Sequence, residues 1–129
     1  MLPASRIMKR KVNRYERAFM KTFPLRDLAI REGGEYVLGY KDLHTRSCYM
    51  IYGVLSPLEK DRVMKPGKGY EEILCASGGP LLLQTAKGTT RLEKGQAAHM
   101  GEEESMTISN PGEEQVEYII AGGPLEESK

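Results

Sequence analysis

The chain has no tryptophan, only two histidines and two cysteines in 129 residues, and no long apolar run. Two imidazoles, His44 and His99, are too few for a three-histidine catalytic metal site, and Cys48 and Cys75 lack the CxxC spacing of a structural zinc site. No disulfide framework is available to so few cysteines. After Met1-Leu2-Pro3 the charges begin at Arg6, so no secretion signal is read, and two reduced, buried thiols in a cytoplasmic protein are expected. The longest apolar run, Tyr49 to Leu55, is interrupted by Gly53 and is too short to cross a bilayer, so no membrane partner is expected. The loop Pro66-Gly67-Lys68-Gly69-Tyr70 is not GxxxxGK[ST] and leads into strand-like residues, which argues against a phosphate-binding loop. There is no internal repeat.

What is present is an ordinary globular composition for one domain, enough to bury roughly two-thirds of the unfolded surface. The net charge of +1 hides an asymmetry: residues 1–31 carry nine Lys/Arg against two acids, and the rest carry ten against sixteen. Residues 1–24 read as a basic N-terminal arm or helix. Ser5 is a candidate cap, Ile7, Val12, Tyr15, Phe19 and Phe23 approximate an apolar stripe, and Pro24 ends it. Such a stripe suits packing on an acidic body or a second subunit. Nucleic acid is not expected, since no aromatic platform or reading motif accompanies the charge.

From residue 25 to 124 the pattern is of short strands. Leu25–Ile30 and Glu35–Tyr40 flank Gly33-Gly34 as a hairpin would. Lys41–Arg46 is a polar loop holding His44. Ser47–Leu55 is apolar on both faces, as in a strand buried between two sheets. Glu71–Ser77, Leu81–Leu83, Thr89–Leu92, Ala97–Met100, Met106–Ser109 and Gln115–Ile120 follow, with Gly78-Gly79-Pro80, Gly95 and Asn110-Pro111-Gly112 as turns. Ala121-Gly122-Gly123-Pro124 reads as the exit of the last strand, and 125–129 as a frayed tail. Turn signals every eight to twelve residues point to a small antiparallel barrel or sandwich.

Within this stretch Glu72, six residues and Gly79 resemble the first motif of the cupin superfamily, and Gly95 and Asn110 stand where the second motif begins and ends. The resemblance covers residues 47–121 and implies an all-β, jelly-roll β-barrel, with strands ahead of the barrel that such chains often exchange in a homodimer. Cupins usually hold a divalent metal through the two His of HxH, the Glu of the first motif and a His of the second. Here those positions fall on Pro66, Lys68, Glu72 and Met106, with Met64 and Pro66 as the alternative register for HxH. One carboxylate with a thioether and a lysine is a poor ligand set for zinc, iron or manganese. The resemblance therefore implies the barrel without its metal, and no cofactor is expected.

Three functions are compatible. The first is a metal-free barrel binding a small organic ligand, anionic or sugar-like, at its mouth, with Tyr52, Met64, Lys68, Glu72, Met106 and Tyr118 as contacts and Lys68 or Arg62 favouring an anion. The second is an enzyme of isomerase or epimerase type, or a metal-dependent cupin. Glu72 would then work with Tyr70 or Lys68, or with Glu104 from the Glu102-Glu103-Glu104 run and His99, if strand parity turns them inward. The third is a dimeric interaction or regulatory protein using the basic arm. For Glu72 itself, an ion pair with Lys68, a ligand contact and an exposed position all stay open.

Overall fold

A computed structural model describes residues 20–126 of the chain. Most of the expected basic helix lies outside the described residues, and 20–23, its end, are not helical. The first element is a helix, α1 (Leu25–Arg31), and not the expected strand. Alternation was too short there to outweigh the end signals. Pro24 stands at the helix start, Asp27 lies in the first turn and Arg31 in the last, where each suits the helix dipole. Gly33 and Gly34 consequently turn the chain from helix to strand and do not close a hairpin. Next come β1 (Glu35–Leu38), the one-turn α2 (Tyr40–Leu43), where a strand end and loop were expected, and β2 (Tyr49–Leu55).

The chain continues as β3 (Arg62–Met64), β4 (Tyr70–Cys75), β5 (Leu81–Thr85), β6 (Gly88–Leu92), β7 (Ala97–Met100), β8 (Met106–Ser109) and β9 (Val116–Pro124). Two antiparallel sheets result, a larger one in the order β1-β2-β9-β4-β7 and a smaller one in the order β3-β8-β5-β6. Non-consecutive neighbours such as β2-β9-β4 are the jelly-roll crossovers. β3 was not read from the sequence because three residues carry too little alternation. β9 runs on through Gly122, Gly123 and Pro124, the residues read as its exit.

Between the sheets lies the core, with Leu55, Leu74, Leu81, Leu83, Ile108 and Ile120 buried. Each such side chain contributes about 2 kcal/mol by leaving water. Parity assigns the faces. On β9, Val116, Tyr118 and Ile120 point into the core, so Glu117 and Ile119 point out. Their direct partners on β2 follow: Tyr49, Ile51, Gly53 and Leu55 face in, Met50, Tyr52 and Val54 face out. β2 is apolar on both sides because α1, and not a second sheet, packs against its outer face.

On that outer face Glu117 accepts from the Tyr52 hydroxyl and, at 2.5 Å, from Arg26 Nε of α1. The Tyr52 bond, helped by Arg26, holds the Glu117 carboxyl below its ordinary 4.5, while burial and Glu117 push the Tyr52 phenol up to about 12. A carboxyl depressed on folding stabilises above its unfolded value and stops doing so as pH falls through its folded one. A phenol raised on folding stabilises below its unfolded value and stops as pH rises through about 12. The urea midpoint of Glu117→Gln is therefore expected below wild type at neutral pH. The gap should close below about pH 4 and again in strong alkali. A gap of constant size from pH 3 to 8 would contradict this.

Candidate ligand site

Two tyrosines cross the inner face of the larger sheet in the same way. Tyr49 on β2, Gly122 on β9 and Glu72 on β4 lie on one line of cross-strand partners. Because Gly122 has no side chain, the Tyr49 ring lies over it, and its hydroxyl donates to Glu72 Oε2. One step along the sheet, Tyr118 on β9 crosses Gly53 on β2 and donates to Glu35 Oε2 on β1 at 3.0 Å. Arg62 Nη1 donates to the Tyr118 hydroxyl at 3.3 Å, and the rest of its guanidinium serves the carbonyls of Gly34 and Val54 and the Glu59 carboxylate. Burial raises both phenols well above the ordinary 10.0. Both tyrosines therefore stay protonated and act as donors.

The two carboxylates differ in what surrounds them. Glu35 is partly open to solvent, whereas Glu72 is only 5% exposed. Glu72 Oε1 is buried without a hydrogen-bond partner among the described residues. Its direct partner across β7 is Met100, and Met64 pairs with Met106 on the opposite sheet, all three buried in the core. A buried polar atom left without a partner costs about 1–3 kcal/mol. That cost makes Glu72 a candidate site residue.

Beside it a cavity of about 330 Å³ is bordered by Glu72, Tyr49, Tyr70, Arg46, Thr45 and Cys48, and also by Tyr40 and Val37. β1 is the edge strand of the larger sheet, and its inward-facing Val37 is 55% exposed beside the cavity. The Tyr49 and Tyr70 rings meet edge to face at 5.8 Å, and the Arg46 guanidinium lies 4.1 Å over the Tyr40 ring.

The expected contacts divide sharply. Glu72 is inside, as its motif position implies. Met64, Met106 and Tyr118 are also inside, but as packed core. Tyr52 is on the outer face with Glu117, since it sits one residue out of phase with Tyr49. Lys68 is exposed, and the group that reaches Glu72 is the Tyr49 phenol. His99 pairs with Ile73 and so faces outward, where its Nε2 lies 2.8 Å from Glu71 Oε1. Glu104 is exposed and accepts from Gly101 N at 2.5 Å within its own turn. With His99, Met100 and Met106 it borders a separate cavity of about 340 Å³, which Glu72 does not line. The thiols also differ from expectation: both are free, but Cys48 is exposed and Cys75 half-buried.

Tyr49 and Arg46, which border this cavity, were not among the expected contacts. Tyr49 had a signal, the alternation that places it on the face of Ile51 and Leu55, but its reach to Glu72 depends on Gly122, far along the chain. Arg46 gave none.

At the four positions matching the cupin metal ligands, Pro66 is buried with its carbonyl accepting from Glu103 N at 3.2 Å, Lys68 is exposed, Glu72 is buried, and Met106 is packed in the core. Among the described residues no three of His, Cys, Asp and Glu converge to hold an ion. With one carboxylate and a thioether, this donor set does not fit the divalent metal of the fold.

The all-β, two-sheet topology is a jelly-roll barrel. Similar solved structures place it more narrowly: a cupin protein of Bacteroides fragilis is 13% identical with a TM-score of 0.62, over 92% of this chain and 93% of that one. A sugar phosphate isomerase of the cupin superfamily from Silicibacter pomeroyi is 16% identical with a TM-score of 0.57, over 81% and 68%. The cupin domain of Schizosaccharomyces pombe Cnp3 is 19% identical with a TM-score of 0.54, over 61% of this chain and 54% of that one. This chain has the cupin fold. No family model matches the sequence, and no curated protein does. No helix among the described residues is long and apolar enough to cross a membrane.

Proposed function

We propose that this chain is a metal-free cupin-type barrel that binds a small organic ligand with an anionic group in the cavity beside Glu72. The observation that carries the reading is the buried Glu72 carboxylate, held by Tyr49 through one oxygen and unpartnered at the other. A fold that needed only stability would gain from an apolar residue there, so the carboxylate is kept for what it meets. Arg46 is the group that takes the anion. Arg62, the cation expected for that role, is committed to Gly34, Val54 and Glu59, and Lys68 does not border the cavity. The Silicibacter pomeroyi neighbour, a sugar phosphate isomerase, makes hydroxylated phosphates a natural part of the search.

A thermal-shift screen over sugar phosphates, carboxylates and uncharged sugars, run with a chelator present, tests the reading. At least one anionic class is expected to raise the melting temperature by about 10 °C at a hundred times its Kd, and Arg46→Gln to shrink the shift at the same concentration. A screen with no anionic hit would contradict the reading. A second reading, proton transfer of the isomerase type, draws on the Tyr49–Glu72 hydrogen bond. Incorporation of solvent deuterium into a hit compound would favour it.

A further inference from the structure

We infer that the ligand of the Glu72 cavity is zwitterionic, carrying an ammonium that meets Glu72 as well as the anion that meets Arg46, and so belongs to the class of small amino acids. The inference rests on the cavity being a ligand site and goes further by fixing what the carboxylate is for.

Three observations converge on an ammonium. The first is charge. Glu72 is buried, and its one hydrogen-bond donor among the described residues is a neutral phenol. Among those residues it makes no ion pair, and its Oε1 is unmatched. A ligand hydroxyl would supply a hydrogen bond but leave the anion without a counter-charge. An ammonium supplies both, and charge-assisted bonds are roughly twice as strong as neutral ones. The second is the wall beside the carboxylate. Tyr49 and Tyr70, in edge-to-face contact, both border the cavity, and the electron-rich face of a phenol ring attracts a cation within about 6 Å.

The third is the opposite sign elsewhere on the rim. Arg46 and Thr45 border the same cavity, and a guanidinium is the side chain best matched to a carboxylate. Arg46 lies on the Tyr40 ring, a stacked position that leaves the guanidinium edge free to donate. A cavity of about 330 Å³ is at the small end of ligand sites, which run from about 300 to 1,000 Å³. Acid, rings and guanidinium thus sort a ligand by both of its ends.

The test is calorimetric titration with linear ω-amino acids from glycine to 6-aminohexanoate, each beside the n-alkanoate and the n-alkylamine of the same length. At least one amino acid is expected to bind ten-fold or more tightly than both of its singly charged partners. Glu72→Gln, which keeps the volume and the Tyr49 contact, should reduce that amino acid to the affinity of its alkanoate. Arg46→Gln, at the rim, should reduce it to the affinity of its alkylamine. Alkanoates binding as tightly as amino acids would overturn the ammonium while leaving the anionic-ligand reading in place. Alkylamines binding as tightly would overturn the role of Arg46. No binding across the series would overturn the inference, and hits in the anion screen would then show that the broader reading survives it.

Discussion

Gly53→Ala is expected to cost about 3 kcal/mol of stability, a large loss for one methyl group. A Cβ on Gly53 would lie 2.0 Å from Tyr118 Cζ, so one of the two must move. Tyr118 is fully buried and its hydroxyl is fixed by Glu35 and Arg62. β2 is held between β1 and β9 and cannot retreat. The related change on the other crossing makes the control. At Gly122 a Cβ would lie 2.3 Å from Tyr49 Cζ, but Tyr49 is only half-buried and can swing into the cavity. Gly122→Ala is therefore expected to cost about 1 kcal/mol while detaching the phenol from Glu72. Urea denaturation of the two variants checks the order. Equal losses, or a larger loss at Gly122, would show that the Tyr118 crossing is not the rigid one.

Glu72→Met is expected to leave stability unchanged or raise it by about 1–2 kcal/mol, and to weaken ligand binding about ten-fold or more. Methionine is close to glutamate in volume and already suits this part of the core, where Met64, Met100 and Met106 are buried. The substitution removes a desolvated charge and an unpartnered oxygen. Its cost is the Tyr49 hydrogen bond, and a half-buried phenol can turn to water instead. A variant that loses 3 kcal/mol or more would make Glu72 a structural residue, with the cavity incidental to it. Stability and binding measured on the same preparation separate the two outcomes.

The residues that made the fold legible are those with structural work still to do. Asn110 is buried, its amide donating to the carbonyls of Ser56 and Glu114 while its Oδ1 accepts from Gly112 N. Gly95 has φ +90° in the turn before β7, a conformation that favours glycine. Gly79 packs so close to Val116 that a Cβ would lie 3.0 Å from it. These positions need their residue types for reasons of backbone and packing, so the cupin-like spacing is readable without any metal ligand among them. Glu72 was legible for the same reason: its place in the motif and its alternation with Leu74 and Ala76 agree.

The rest of the site was hidden because it depends on partners distant in sequence. Whether Tyr49 or Tyr52 faces inward is a matter of one residue in register, and a strand apolar on both faces gives no rule for choosing. His99 and Glu104 were open for the same reason, and the pairing of His99 with Ile73 settles the first against the interior. Arg46 lies in the stretch between α2 and β2, where periodicity says nothing. Its place over Tyr40 follows from the path of the chain after His44, which has φ +59°.

Glu72 is proposed to bind an organic ligand without a metal. Calorimetric titration of chelator-treated protein with the tightest compound from the anion screen, wild type against Glu72→Met, tests this most directly. Wild type is expected to bind with chelator still present, and the folded variant about ten-fold more weakly or worse. Binding lost with chelator and restored by zinc, iron or manganese, or binding unchanged in the variant, would contradict it.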